Sequence, residues 1–153
     1  MNYEIVKLSD EIIDNKIDEK YLEQIFNCYR GLTDAPTLPF IKLRNIVLNL
    51  PDKHSIYVCK IDNKPVGLIT LIIEQKLIHS GGLVGHIEDL CVDKDHQKKG
   101  IAEKLINYCI DVSRQNGCYK TILDCKKELV EFYKDKKFVN EGAYMCYRIV
   151  SKK

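Results

Sequence analysis

The chain has no long apolar run, no excess of one charge, no paired-cysteine motif and no repeat, and each absence removes a class of function. Its longest greasy stretch, Val66 to Ile73, is far shorter than the ~20 residues that a membrane-spanning helix requires. With 24 basic and 22 acidic residues among 153, the formal net charge is only +2. No broad field exists to hold a nucleic-acid backbone or an anionic membrane, so neither partner is expected and any anion site must be local. The seven cysteines, at 28, 59, 91, 109, 118, 125 and 146, are odd in number and nowhere form C-x-x-C. Most stand in apolar periodic segments, where reduced thiols acting as small hydrophobes fit better than a disulfide set or a zinc site. That implies a reducing compartment and no bound metal. The N-terminal run MNYEIVKLSDE has no basic stretch followed by an apolar one, so no secretory signal is visible and a cytoplasmic location is expected.

What is present is an ordinary globular composition, 45% hydrophobic and 30% charged, in a chain long enough to bury a core as one domain spanning 1–153. Tyr3 to Leu8 reads as a first strand. Asp18 can cap a helix with Leu22, Ile25, Phe26 and Tyr29 on one face, ended by Gly31. A second helix is expected from near Thr37, with Pro39 in its first turn, Phe40, Leu43, Val47 and Leu50 on one face, and Pro51 as its stop. Ser55 to Ile61 and Pro65 to Glu74 read as a hairpin around Asp62-Asn63-Lys64. Gly85 to Val92 reads as a strand, and Gly100 to Gln115 as a helix with Ile101, Leu105, Cys109 and Val112 inward and Asn116-Gly117 ending it. A buried strand over Lys120 to Cys125, a short helix over Glu128 to Asp135 and a final strand over Gly142 to Val150 complete the reading. Short antiparallel strands early and a strand–helix–strand unit late predict an α/β (α+β) mixed sheet flanked by helices.

The residues Gln97-Lys98-Lys99-Gly100-Ile101-Ala102 lie where a strand meets a helix. The first turn of such a helix carries unpaired amides and the positive end of the dipole, which together make a phosphate cradle. Gly100 has no Cβ to keep an anion away, Ala102 is small, and Lys98 and Lys99 add local charge. Taken alone, the pattern reads first as a solvated basic loop before a surface helix; the preceding strand and the later Tyr133 reverse that order.

This Q-x-x-G-x-A run after a strand resembles the acetyl-coenzyme A motif of the GNAT acetyltransferases. The resemblance implies a GNAT fold with a central, mostly antiparallel sheet and acetyl-coenzyme A as co-substrate. It implies that the coenzyme is held by Leu90, Cys91, Val92, Gln97, Lys98, Lys99, Gly100, Ile101, Ala102 and Glu103, with Tyr133, Lys134 and Asp135 from the later helix. The strand Leu90-Cys91-Val92 would pair with the pantetheine arm, and one of its amides would meet the developing oxyanion.

From Ile72 to Arg148 the similarity narrows. LIIEQKLIHSGGLVGHIEDL, GCYKTILDC, FYKDKKF and YMCYR together look like the glucosamine-6-phosphate N-acetyltransferase family, while the N-terminal half matches chiefly at Leu32-Thr33. That resemblance implies transfer of acetyl to the amine of D-glucosamine 6-phosphate within UDP-N-acetylglucosamine biosynthesis. It places Thr33, Lys76, Leu77, Ile78, His79, Glu88, Asp89, Asp124 and Arg148 around the sugar, with Asp124 and Arg148 shared across a homodimer. Independently, a phosphorylated amino sugar needs cations such as Lys76, His79 and Arg148 and acceptors such as Glu88, Asp89 and Asp124. Each has an ordinary alternative: Glu88 and Asp89 as strand-edge guards, His79 as a loop residue, Arg148 and Lys76 as solvated charges. Asp124 in an apolar run demands a partner and so favours a function.

By the same resemblance Tyr133 protonates the leaving thiolate, Asp124 orients the amine and Glu88 completes the catalytic group, in a direct transfer within a ternary complex. A route through a covalent acyl group on Cys125 or Cys91 is a lesser alternative. The family helix carries asparagine where this chain has Leu129, and glycine where it has Lys137, which must avoid positive φ or tolerate it at a cost. Two rival functions stand beside the main one: a GNAT enzyme of another small amine, and a non-catalytic acetyl-coenzyme A sensor.

Overall fold

The computed structural model describes residues 2–151; Met1, Lys152 and Lys153, which the 1–153 domain includes, lie outside the described residues. Two compact units divide at Ile122/Leu123.

The first unit is built on a five-stranded sheet in the order β1-β2-β3-β4-β5. Its strands are β1 (Tyr3–Lys7), β2 (His54–Ile61), β3 (Lys64–Gln75), β4 (Leu83–Val92) and β5 (Cys118–Ile122), and its helices are α1 (Leu8–Ile13), α2 (Glu19–Tyr29), α3 (Phe40–Leu48) and α4 (Ile101–Gln115). The first four strands pair antiparallel and β5 joins β4 in parallel. Asp62 and Asn63, at φ 49° and 63°, form the two-residue turn between Ile61 and Lys64, a twist that suits a tight hairpin. Asp18 caps α2 as expected, its Oδ1 accepting from the Tyr21 amide at 2.7 Å.

Alternation along the strands sends Val58, Leu68 and Cys91 to one face of the sheet, where they join Leu22, Ile25, Phe26 and Cys28 of α2 and Leu43 and Val47 of α3 in a single core. The other face receives α4, since a Cβ on Gly67 would stand 3.1 Å from both Ile101 and Leu105. Helix α1 was not anticipated from the sequence. Its buried Glu11 meets the buried Lys60 of β2, with Nζ 3.1 Å from both carboxylate oxygens. A pair that deep holds α1 to the sheet because removing either partner strands a charge.

Several expectations need correcting. Phe40 does not join the inward face of α3; it is exposed at the helix's first residue. The fifth strand lies at Cys118–Ile122 rather than 120–125 and is half-exposed, because it forms the sheet's edge and not its centre. Asp124 is therefore beyond the strand and exposed.

The second unit covers residues 123–151 of the described chain. A 3-10 turn (Lys127–Leu129) leads into α5 (Val130–Asp135), and Tyr133 packs edge-on between Phe132 and Phe138 at ring distances of 5.0 and 5.8 Å. The expected strand over 142–150 is absent: the segment is irregular, and Tyr144, Met145, Tyr147, Ile149 and Val150 are exposed. A strand needs a paired neighbour, and nothing in this unit supplies one.

Helix α5 ends in a left-handed cap. Lys137 sits at φ 68°, its amide donating to the Lys134 carbonyl at 2.8 Å while the Phe138 amide donates to Tyr133 at 3.1 Å. Glycine is the residue such a cap favours, so Lys137→Gly should stabilise the protein by about 1 kcal/mol. Equilibrium urea unfolding of the two proteins checks this; an unchanged midpoint would show that the cap carries no strain.

Candidate active site: a bulged strand and a glycine-led helix

Strand β4 carries an extra residue at its middle. Leu68 pairs with Cys91 and Thr70 with Glu88, so Asp89 and Leu90 both stand opposite Ile69. Asp89 takes φ 50° to accommodate this. A bulge of this kind bends the strand and reverses the side-chain alternation beyond it. Glu88 and Cys91 consequently share the α2 face, where strict alternation would separate them.

The same strand loses its neighbour on the other side. β5 pairs with β4 only from Leu83 to His86 and ends at Ile122. From Leu90 to Val92 that edge of β4 has no strand of the sheet beside it. Extended backbone with one open edge is what an added strand-like ligand requires.

Immediately downstream, the chain turns into α4 through residues chosen for unusual backbone angles. Lys98 lies at φ 58° and Gly100 at φ 78°, and a Cβ on Gly100 would meet nothing within 4 Å. The N-terminus of α4 has no side-chain cap, so its first-turn amides remain available to an anion. Gln97 Nε2 donates to the Val92 carbonyl at 3.4 Å and Lys99 Nζ to the Asp95 carbonyl at 3.0 Å, which ties the loop to itself. Ala102 and Glu103 follow in the helix's first turn. The residues present thus fit a diphosphate-bearing thioester: an open strand edge, then amides on a dipole.

Helix α2 ends beside the same stretch, for a Cβ on Gly31 would stand 4.0 Å from the Val92 carbonyl. Thr33 follows, exposed, with its amide on the Tyr29 carbonyl at 3.3 Å. Tyr29 was not singled out from the sequence. Its phenol is pushed well above its usual pKa by burial first and then by Cys91 and Asp89, so it stays a neutral group next to the bulge. Burial likewise drives the Cys91 thiol far up, which leaves it protonated and a poor nucleophile.

Lys76, Leu77, Ile78 and His79 lie at the opposite end of β3. Lys76 is six residues from Thr70, so about 20 Å separates it from the bulge at ~3.3 Å per residue. Within the first unit the end of α2 lies near Val92, beyond the Asp89 bulge, whereas Lys76 to His79 follow Gln75, which pairs with Leu83 at the other end of β4. There, Lys76 Nζ lies 2.8 Å and His86 Nε2 2.9 Å from the same Glu74 oxygen. His79 and Ser80 are left-handed, at φ 51° and 56°. The His79 ring rests 4.6 Å from that of Tyr119, and Leu77 and Ile78 are exposed. Neither Glu74 nor His86 stood out in the sequence, although strand alternation puts both on one face with Glu88.

In the second unit, burial first, then Cys125 and Asp124, raise the Tyr133 phenol above its usual pKa. It is a proton donor at neutral pH. Asp124 also raises the Tyr144 phenol, chiefly after Cys146, while Arg148 opposes it. Asp124 is thus within electrostatic range of Tyr133 and Tyr144. Lys134 Nζ is held by Glu131 at 2.9 Å, and Asp135 is exposed beside it. Among the described residues, no group of three or more His, Cys, Asp or Glu side chains is placed to hold a metal ion.

Three comparisons bear on this geometry. The model of the acetyltransferase (GNAT) family matches residues 19–138. A glucosamine 6-phosphate N-acetyltransferase of Candida albicans is 35% identical over 135 residues, covering 86% of this chain and 88% of that one. The enzyme of the same description from Trypanosoma brucei brucei is 32% identical over 134 residues, covering 85% and 88%. The crystal structure of glucosamine-6-phosphate N-acetyltransferase from Arabidopsis thaliana superposes with a TM-score of 0.82 at 27% identity, over 98% of this chain and 100% of that one.

If the Gly100 turn is the anion cradle, Gly100→Val should raise the KM for acetyl-coenzyme A more than tenfold while the protein stays folded by circular dichroism. An unchanged KM would remove the loop from the coenzyme site.

Proposed function

We propose that this chain, which belongs to the acetyltransferase (GNAT) family, transfers the acetyl group of acetyl-coenzyme A to the amine of D-glucosamine 6-phosphate. The observation that carries this is the bulged, half-unpaired β4 leading into an uncapped, glycine-led helix. It stands in a chain 35% identical to a glucosamine 6-phosphate N-acetyltransferase over most of both lengths. GNAT acetyltransferases use acetyl-coenzyme A, and the bound thioester supplies an activated acyl group.

The protein's own groups divide the work. Leu90, Cys91 and Val92 offer the strand edge, and the amides from Lys98 to Glu103 hold the diphosphate. An amide of the bulged strand, fixed in place before reaction, stabilises the oxyanion. Glu88 and Asp89 accept from the sugar, and Thr33 contributes its hydroxyl from the end of α2. Asp124 orients the amine and favours loss of its proton through water or a nearby carbonyl. Tyr133 supplies a proton to the departing sulfur, for which its raised pKa equips it. The raised pKa of Cys91 supports direct transfer over a covalent acyl group on that thiol. We read 1–153 as one acetyltransferase domain, a reading supported by a family match that runs on both sides of residue 122. Among the described residues no helix is long and apolar enough to cross a membrane, in keeping with our placement of the enzyme in the cytoplasm.

A homodimer belongs to this reading. Tyr147 and Ile149, 90% and 88% exposed, sit in a segment that reads as a strand but has no partner, and a second copy provides the complementary edge. In this reading Asp124 and Arg148 are the groups shared across that interface.

Detection of acetylated product by mass, across glucosamine 6-phosphate, glucosamine and spermidine, should show turnover of the sugar phosphate by far the fastest. Spermidine as the preferred acceptor would overturn the substrate, and tight coenzyme binding without any product would indicate a sensor. Tyr133→Phe should lower kcat roughly 100-fold with the sugar KM nearly unchanged; the reverse pattern refutes the acid role. Sedimentation analysis should give a dimer that Met145→Asp with Ile149→Asp converts to monomer. A wild-type monomer at micromolar concentration would dismiss the shared site.

A further inference from the structure

The loop that precedes α4 is anchored at its upstream end by a pair of side chains to which the reaction assigns no task. Asp93 follows the last residue of β4 and is 9% exposed at its side chain; His96, three residues on, is 19% exposed. The carboxylate Oδ2 accepts from His96 Nδ1 at 2.7 Å. In the same turn the Asp93 carbonyl accepts from the His96 amide at 2.8 Å, and the Asp93 amide donates to Val66 of β3 at 2.8 Å. The buried thiol of Cys28, at the end of α2, is held by the backbone of Asp93 as well. Asp93 is thus fixed from three directions: to the neighbouring strand, to the helix on the sheet's opposite face from α4, and to the imidazole ahead of it.

Nothing comparable fixes the stretch between His96 and the helix. Gln97, Lys98, Lys99 and Gly100 are all exposed; apart from the Gly100 carbonyl, which accepts from the Lys104 amide at 3.1 Å within the helix, the ties of the stretch are the long Gln97 contact and the flexible Lys99 side chain. Two left-handed residues in that stretch, Lys98 and Gly100, have a direction only relative to where the chain leaves His96. A carboxylate–imidazole bond that is largely shielded from water is strong enough to set that departure.

We propose that Asp93 and His96 form a clamp that positions the coenzyme-binding loop, so that His96 is a positioning residue for acetyl-coenzyme A and not for the sugar. The inference rests on the reading of 97–103 as the diphosphate site. The imidazole uses Nδ1 for the clamp and touches no substrate in this role. Loss of the clamp leaves the amides of 98–102 present but unaligned, which weakens coenzyme binding without altering the groups that move protons.

The test compares His96→Ala, Asp93→Asn, His96→Asn and Gly100→Val in steady-state kinetics with both substrates, alongside thermal unfolding. His96→Ala should raise the acetyl-coenzyme A KM about tenfold, with kcat at saturating coenzyme and the sugar KM within twofold of wild type. His96→Asn, whose amide can donate to Asp93 at similar reach, should recover most of the loss, a rescue that a general loss of stability would not show. Asp93 is buried, so Asp93→Asn serves only where its melting temperature matches that of wild type. An acetyl-coenzyme A KM unmoved by His96→Ala, while Gly100→Val raises it, overturns the clamp alone. If neither variant moves it, the loop is not the coenzyme site and the underlying reading fails with it. An equal rise in both substrates' KM, or a fall in kcat unrescued by His96→Asn, also overturns the positioning role.

Discussion

Asp89 is held at φ 50° in the middle of a strand, a conformation that a non-glycine side chain adopts only under constraint. The constraint is the pairing on either side of it: Glu88 is registered to Thr70 and Cys91 to Leu68, and both registers are locked by burial. Because Leu68 and Cys91 belong to the core beneath α2, sliding the pairing by one residue would turn a buried thiol outward. The extra residue cannot be absorbed elsewhere. It therefore bends β4 where β5 has already ended. The open edge at 90–92, proposed here for the coenzyme, the end of α2 near Val92 and the departure of the chain toward α4 all lie at or just beyond that bend.

The anion site proposed at 97–103 is one by which a nearly neutral protein would recognise a highly charged ligand. A net charge of +2 on 153 residues creates no attraction at a distance. On that reading the loop relies on backbone groups, with the uncapped end of a 15-residue helix and two left-handed residues ahead of it. Lys98 and Lys99 contribute charge at close range only, and Lys99 is already engaged with the Asp95 carbonyl. Backbone recognition is insensitive to side-chain identity but sensitive to geometry. That is why the conformational freedom at Gly100 matters more than the number of lysines around it.

The features legible in the sequence are those fixed by local chemistry. The Asp62-Asn63 turn, the Asp18 cap and the amphipathic α4 each depend on a few adjacent residues, and each stands where expected. Helix α1 escaped because its six residues are too few to display a period, and it is held by the burial of Leu8 and Ile12 in the core together with the distant Glu11–Lys60 contact. The fifth strand was misplaced for a related reason. The apolar run Thr121 to Cys125 looks like a buried strand, yet its pairing stops at Ile122, leaving Asp124 exposed and outside the sheet. The Q-x-x-G-x-A run marked the loop, and the family it resembles carries a bulged strand ahead of that run; in residue types the bulge shows only as the consecutive polar pair Glu88-Asp89, which breaks the alternation. The Glu74–His86–Lys76 contact and the Asp93–His96 pair were invisible, because side chains meet there only after the register is set.

The missing final strand is a different kind of disagreement. Its aromatic and β-branched residues, Tyr144, Tyr147, Ile149 and Val150, are strand formers. Propensity for a strand without a neighbour does not make a strand, because unpaired backbone gains nothing over its bonds to water. The first unit has a complementary shortfall: its proposed sugar ligands lie about 20 Å apart along one sheet. On the proposed reading a monomer leaves the last segment without a strand partner and the sugar ligands spread along the sheet. Two copies can complete both, since an isologous contact that gives one chain's last segment a neighbour does the same for its partner. In that arrangement the exposed tyrosines and isoleucine cease to be an apolar liability and become the element that joins two half-sites into working ones.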